Sequence, residues 1–372
     1  MRSLLVVMIF SAPALLAGDR FEILSSLQVQ GVSDNNLNAS FDDPISDRIT
    51  RVTPALTLRL DSSRLRIAGG YSLDSERYMT HSSFDSNRAR ERAELGIAYD
   101  ATPRLILALN GSYVDTNTLT DLNTDTALAA SRVRGRRLTF GPSATFRLSP
   151  QTTAAVSASS SATNVVNGVG MRIQNEDARL DRWATARDRL SVAYTHSRLA
   201  FSGAGAQTID THVMIGEWIH YFSARDRLML QAGPRVTGNA RSIDAAGSLT
   251  HTFRITSIGF VFSRSQATPI GYAGTVQTES LVGHFSFDPN RRLSLYMNPA
   301  VIRSVHGNLT GTVTRAAFGA RWTIASMLDA DVAYNRDLQK GAIDTFRADT
   351  QLSHSTISIG LSTRWNNRQR AR

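Results

Sequence analysis

Apolar and polar residues alternate with a period of two from about Phe21 to Trp365, and that property decides what this chain can fold into. Successive side chains of an extended strand leave on opposite faces, so a period of two marks strands, whereas helical apolar positions recur every three or four. The clearest run sets Val52, Pro54, Leu56, Leu58 and Leu60 on one face and Arg51, Thr53, Ala55, Thr57 and Arg59 on the other. After Asp61-Ser62-Ser63 the alternation resumes. Leu65, Ile67, Gly69, Tyr71 and Leu73 form the apolar face, opposite Arg64, Arg66, Ala68, Gly70, Ser72 and Asp74, so the two runs make a hairpin.

The hairpin recurs along the chain. Arg-Leu-x-aliphatic follows a short polar turn at Arg64-Leu65-Arg66-Ile67, Arg104-Leu105-Ile106-Leu107, Arg189-Leu190-Ser191-Val192, Arg227-Leu228-Met229-Leu230 and Arg292-Leu293-Ser294-Leu295. Eight tight turns can be counted, including a poor one near Arg254 to Thr256. Between them lie longer polar stretches at Asp34 to Asp47, Thr116 to Ser131, Val165 to Gln174, Gln266 to Gly274 and Asp337 to Arg347. Short turns at one end and longer loops at the other are the asymmetry of outer-membrane β-barrels, which use short periplasmic turns and longer extracellular loops. The flanking segments predict an all-β, transmembrane, antiparallel up-and-down barrel of about 18 strands (16–18), with both termini on the short-turn side. Two places read poorly: Met171 to Ala186, where alternation is weak, and Ser248 to Ser263, readable as one bent strand or a hairpin.

Composition narrows the class further. Of 372 residues 42% are hydrophobic and 19% are charged, which excludes a disordered chain. The absence of cysteine excludes a disulfide scaffold or a thiolate metal site. Mean hydropathy is −0.18, and only the first eighteen residues form a long apolar run, so spanning helices are not expected. A barrel is compatible with that value because lipid-facing and lumen-facing residues interleave. Met1 and Arg2 precede an uncharged apolar stretch from Ser3 to Gly18, read as a cleaved secretory signal peptide. The expected organisation is a signal at 1–18, a barrel at 19–365 and a basic tail at 366–372, in the outer membrane of a Gram-negative bacterium. A soluble sandwich or propeller would also alternate, but no blade signature occurs and the strands are too long for four per blade.

If the apolar parity faces lipid, the lipid-facing set includes Leu56, Leu58, Leu65, Ile67, Leu105, Leu107, Ile357, Ile359 and Leu361. Tyr71, Tyr99, Tyr113, Tyr194, Tyr334, Trp322 and Trp365 share that parity near strand ends, where an interfacial girdle belongs. The opposite parity then lines the lumen with Arg51, Arg59, Arg64, Arg66, Arg88, Arg90, Arg92, Arg137, Arg147, Arg235, Arg315 and Arg321. Inward acids are fewer in this reading: Asp74, Glu76, Glu94, Asp329 and Asp331. An arginine-lined, water-filled lumen favours anions by focusing the field. Part of the set, where Asp74 and Glu76 face the Arg88, Arg90, Arg92 ladder, is equally readable as cross-strand pairing that stiffens the wall.

The formal charge of +10 raises the question of nucleic acid, but the arginines are spread along the chain and no recognition motif is present. The eight histidines stand singly, with no H-E-x-x-H or G-x-S-x-G, so neither catalytic residue nor metal nor cofactor is assigned. Expected partners are outer-membrane lipid, the outer-membrane assembly machinery, and small anions or an anionic polysaccharide. The readings kept beside a porin-like channel are a closed barrel acting as scaffold or surface anchor and a rim-site hydrolase.

The stretch SDNNLNASFDDPISDRITRVTPALTLRLDSSRLRIAGGYSLDSERY, with SLTHTFRITSIGFVFSRSQATPIGYAG and the QTES that follows it, resembles the β-barrel porin family found beside exopolysaccharide and exosortase (PEP-CTERM) genes. That resemblance implies an outer-membrane porin-like barrel, with exopolysaccharide export as its associated role.

Overall fold

The structure, a computed structural model, describes residues 20–123, 125–128, 132–203, 206–341 and 351–370. The signal-peptide expectation therefore lies outside the described residues. The strands, in chain order, are β1 (Arg20–Asp34), β2 (Asp47–Asp61), β3 (Leu65–Tyr78), β4 (Ser86–Thr102), β5 (Leu105–Thr116) and β6 (Gly135–Arg147). Next come β7 (Thr152–Val165), β8 (Gly170–Trp183), β9 (Asp188–Ser202), β10 (Gln207–Tyr221), β11 (Asp226–Thr237) and β12 (Ala240–Thr252). The last are β13 (Thr256–Ala267), β14 (Val276–Asn290), β15 (Leu293–His306), β16 (Leu309–Ala325), β17 (Leu328–Lys340) and β18 (Gln351–Arg370).

Each strand pairs antiparallel with its sequence neighbours, and β1 pairs with β18, so eighteen strands close one sheet on itself. Closure removes the edges that an open sheet of this size would expose, so the backbone hydrogen bonds are satisfied within the wall. The β1–β18 seam runs from Arg20↔Arg370 to Asp34↔Thr356, and it corrects the expected organisation: the strand continues past Trp365 to Arg370, taking in most of the predicted tail. Among the described residues no helix is long and apolar enough to cross a membrane.

The tight turns fall on one end, between β2 and β3, β4 and β5, and so on to β16 and β17. The Ser248 to Ser263 region is the hairpin of β12 and β13, and the weakly alternating Met171 to Ala186 holds β8. The other end is less uniform than the sequence suggests. Residues 117–134 and 35–46 are long connections, but the expected loop from Val165 to Gln174 shrinks to 166–169 because β8 starts at Gly170. Two connections at this end, 238–239 and 307–308, are minimal, and Gly238 and Gly307 hold φ of +55° and +56°, which glycine adopts without steric cost.

Side-chain contacts identify the inside of the barrel. Gln28 and Gln30 on β1 both donate to Asp331 on β17, at 3.3 and 3.2 Å, past the intervening β18, which only the concave face permits. Following the register from there, Leu56, Leu58, Leu65, Ile67, Leu105, Leu107, Ile357, Ile359 and Leu361 lie on the outward face. Tyr71, Tyr99, Tyr113, Tyr194, Tyr334, Trp322 and Trp365 share that face. Exposed large hydrophobics on it, such as Leu56, Phe140 and Ile359, would be misplaced in water but suit contact with lipid. One sector breaks this pattern. On β8 to β10 the register aligns Glu176, His196 and His212 outward, with His196 3.6 Å from Glu176, stacked on His212, and 3.7 Å from Asp210.

Candidate functional site

The chain between β5 and β6 does not stay at the rim. It makes a short 3₁₀ turn at Leu119–Leu122 and enters the lumen. Asp121 meets Arg90 of β4 at 3.1 Å and accepts from the Thr116 hydroxyl at 2.9 Å, while the Arg137 guanidinium of β6 donates to the Leu122 carbonyl at 2.9 Å. Leu122 is buried with Met171, Leu199 and Phe201 of β8 and β9, and with Ile270 of the β13–β14 loop. A few residues on, Ala127 and Leu128 pack against Ala267, Val276, Ile302 and Val313, from β13 to β16, on the far side of the eighteen-strand ring. The Asn123 side chain ties the two inward segments together, accepting from the Ile270 amide at 2.5 Å. Burying two leucines and satisfying these polar groups offsets the ordering cost of a crossing segment that a solvated loop would not bear.

The crossing segment borders two cavities. One, of about 400 Å³, includes Arg137 and Arg235 among hydroxyl and amide side chains such as Thr139, Ser161 and Asn175. The other, of about 350 Å³, lies toward β1 to β4 and β16 to β18 and includes Arg51, Arg90, Arg132, Glu76 and Asp337. Guanidinium groups thus stand on both sides of the segment.

The register puts Arg51, Arg59, Arg66, Arg90, Arg92, Arg137, Arg147, Arg235, Arg315 and Arg321 on the inward parity. Two residues depart from the sequence reading. Arg64 sits in the turn between β2 and β3 rather than on the wall. Arg88 turns outward: the register of β3 against β4 shifts between Asp74 and Glu76, and beyond that bulge its guanidinium binds Glu91, which faces out with Tyr71 and Asp115. Arg134 and Arg136 close this outer cluster, both reaching Asp115 at 2.8 Å.

Inside, most guanidiniums have carboxylate partners. Arg51 meets Glu76 at 2.7 Å, Arg66 meets Asp100 at 3.1 Å, Arg90 meets Asp74 at 3.5 Å, and Arg315 binds Asp337 through two 2.7 Å bonds. Arg235 forks onto Asp244, and Arg364 donates one bond to Asp329. Sequence reasoning missed a further inward network in which Arg179 and Arg189 share Asp181 and Glu217. Its signal was available in Asp177-Ala178-Arg179-Leu180-Asp181, where the apolar residues alternate with the charged ones. Arg132, which reaches Glu76 from the crossing segment's return, carried no such signal because it lies outside any strand. The inner wall is therefore a lattice of cross-strand ion pairs, and the expected surplus of inward positive charge is largely matched. Arg92, Arg137, Arg147 and Arg321 have no carboxylate within ion-pair distance among the described residues.

Histidines form pairs with acids, such as His81 with Asp47, His220 with Asp188 and His354 with Asp34, but no serine hydroxyl bonds an imidazole among the described residues. No group of three or more potential metal ligands occurs among them either.

An antiparallel, closed, eighteen-stranded wall with an outward apolar band and an inward polar face defines the fold class of outer-membrane β-barrels. Solved structures share it. The chain matches the outer membrane protein OpdK of Pseudomonas aeruginosa, crystallised with vanillate, at TM-score 0.54 and 8% identity, covering 93% of this chain and 99% of that one. It matches OpdQ of the same organism at TM-score 0.53 and 8% identity, covering 94% and 98%. No family model matches the sequence, and no curated protein does.

Proposed function

We propose that this protein is a passive outer-membrane channel for small anionic solutes, with the segment between β5 and β6 as its selective constriction. The observation that carries the reading is that segment's position across a bore with guanidinium groups on either side of it. A solute entering at the loop end is confined to the spaces beside it, where Arg137 and Arg235 on one side and Arg51, Arg90 and Arg132 on the other present guanidinium groups to a carboxylate or phosphate. Paired arginines elsewhere cross-link neighbouring strands of the wall. The vanillate crystallised with OpdK is itself a carboxylate, and it lends support at the level of fold alone. Exopolysaccharide export, suggested by the family resemblance, needs the crossing segment to leave the bore for a polymer to pass.

A closed scaffold or anchoring barrel is the second reading, favoured by the anchoring of the crossing segment on both walls. Single-channel recording of the refolded protein in a planar bilayer under a salt gradient separates the two. Steady current with an anion-selective reversal potential is expected, shifting toward cations in Arg92→Glu/Arg137→Glu. Absence of current from protein shown to be folded would overturn the channel reading.

A further inference from the structure

The outer wall near the loop end carries a band of cations. Exposed cations with outward register occur there on β2, β3, β8, β9, β12, β13, β15 and β17. The best-ordered group crosses β13 to β17 in one hydrogen-bonding row, Arg264↔Glu279↔Arg303↔Thr312↔Lys340. Glu279 is engaged by Arg264 at 3.7 Å, while Arg303 and Lys340 have no carboxylate within ion-pair distance among the described residues. Strands lie about 4.8 Å apart, so Arg303 and Lys340 stand roughly 10 Å from each other, a gap two extended basic side chains close around one anionic group. Two residues toward the turn end, β13, β14 and β15 present Phe262, Leu281 and Val301, all exposed and all outward, and β17 adds Leu338.

We propose that this row binds the phosphate of an anionic lipid headgroup in the outer leaflet, with the lipid's acyl chains lying on Phe262, Leu281 and Val301. Cations directly above an apolar strip match the two halves of such a lipid, and neither half alone explains the arrangement. A free phosphate would use the cations but leave the apolar strip uncovered. An acidic protein segment would need a groove, and the row lies on a convex wall. Charge-assisted bonds from arginine and lysine to phosphate are among the stronger polar contacts and gain strength near a low-dielectric surface.

The test is native mass spectrometry of the refolded protein in detergent supplemented with bisphosphorylated lipid A, against the same lipid stripped of its phosphates. The wild type should retain the phosphorylated lipid, and Arg303→Gln/Lys340→Gln should retain about tenfold less, the loss expected for about 1.4 kcal/mol of phosphate contact. The turn-end control Arg291→Gln/Arg292→Gln should behave as the wild type, and millimolar inorganic phosphate should not displace the lipid. Equal retention by the Arg303/Lys340 variant, equal retention of the stripped lipid, or displacement by inorganic phosphate would each overturn the proposal. Lipid retention is read without any current, so it stands or falls separately from the channel reading.

Discussion

Releasing the segment that crosses the lumen should widen the channel, and the size of the effect follows from its anchors. Leu122 and Leu128 are 3% and 5% exposed, and burying a leucine contributes about 1.5–3 kcal/mol, so the pair holds the segment by roughly 3–6 kcal/mol. The bonds through Asn123 and Arg137 add about 0.5–1.5 kcal/mol each, so the two leucines supply most of what these contacts contribute and two substitutions remove it. Leu122→Asp/Leu128→Asp removes the apolar contribution and adds the penalty of placing carboxylates against Met171, Phe201, Val276 and Ile302. A loss of 3 kcal/mol or more shifts the in-to-out equilibrium by about a hundredfold or more. The expected outcome is a several-fold larger single-channel step in a planar bilayer and faster liposome swelling in neutral sugars. Unchanged steps and swelling, from a variant whose barrel shows native heat-modifiable mobility, would refute the assignment of this segment as the constriction.

Leu56→Arg or Ile67→Arg places a guanidinium on the outward face and should cost about 2–4 kcal/mol if the residue sits at mid-membrane, read as a lower urea midpoint for the folded barrel in lipid vesicles; wild-type midpoints for both would contradict the outward assignment. Gly319 is covered by the ring of Tyr296 on the neighbouring strand, and a Cβ there would lie 2.2 Å from it, so Gly319→Val should destabilise by about 1–3 kcal/mol and Tyr296→Ala should recover most of the loss. Arg315→Met strands the Asp337 carboxylate and should cost about 1–3 kcal/mol, while the exchanged pair Arg315→Asp/Asp337→Arg should fold close to wild type; an exchange no better than the single substitution would show that geometry rather than charge holds this pair.

The strands were legible because a wall with lipid on one side and water on the other imposes alternation on every element in it. Leu56 and Ile67 could be assigned a face from their neighbours alone. Arg88 could not, because a bulge changes parity locally and leaves no mark in composition. The end of β18 was misread for a related reason: the basic run after Trp365 resembles a solvated tail, and pairing with β1 overrides that preference. Asp181 was legible from the alternation of its neighbours, whereas the pairing of Glu217, Asp244 and Asp337 with inward arginines depends on the register between strands. The crossing segment was out of reach altogether. Its anchors, Leu122 against Phe201 and Leu128 against Val313, join residues distant in sequence, and a single sequence carries no sign of such contacts.

The outward sector of Glu176, His196 and His212 has a mechanical consequence. On β9 the apolar outward residues run from Leu190 to Tyr194, whereas on β5 they run from Leu105 to Tyr113. A shortfall of about two to four residues on tilted strands lowers the oily band there by roughly 5–10 Å. A bilayer must thin beside that sector or the cylinder must lean toward it, at a cost of fractions of a kcal/mol for each ångström left unmatched. The molecule thus has one flank toward which it leans or beside which the lipid thins, and that flank travels with it as it diffuses.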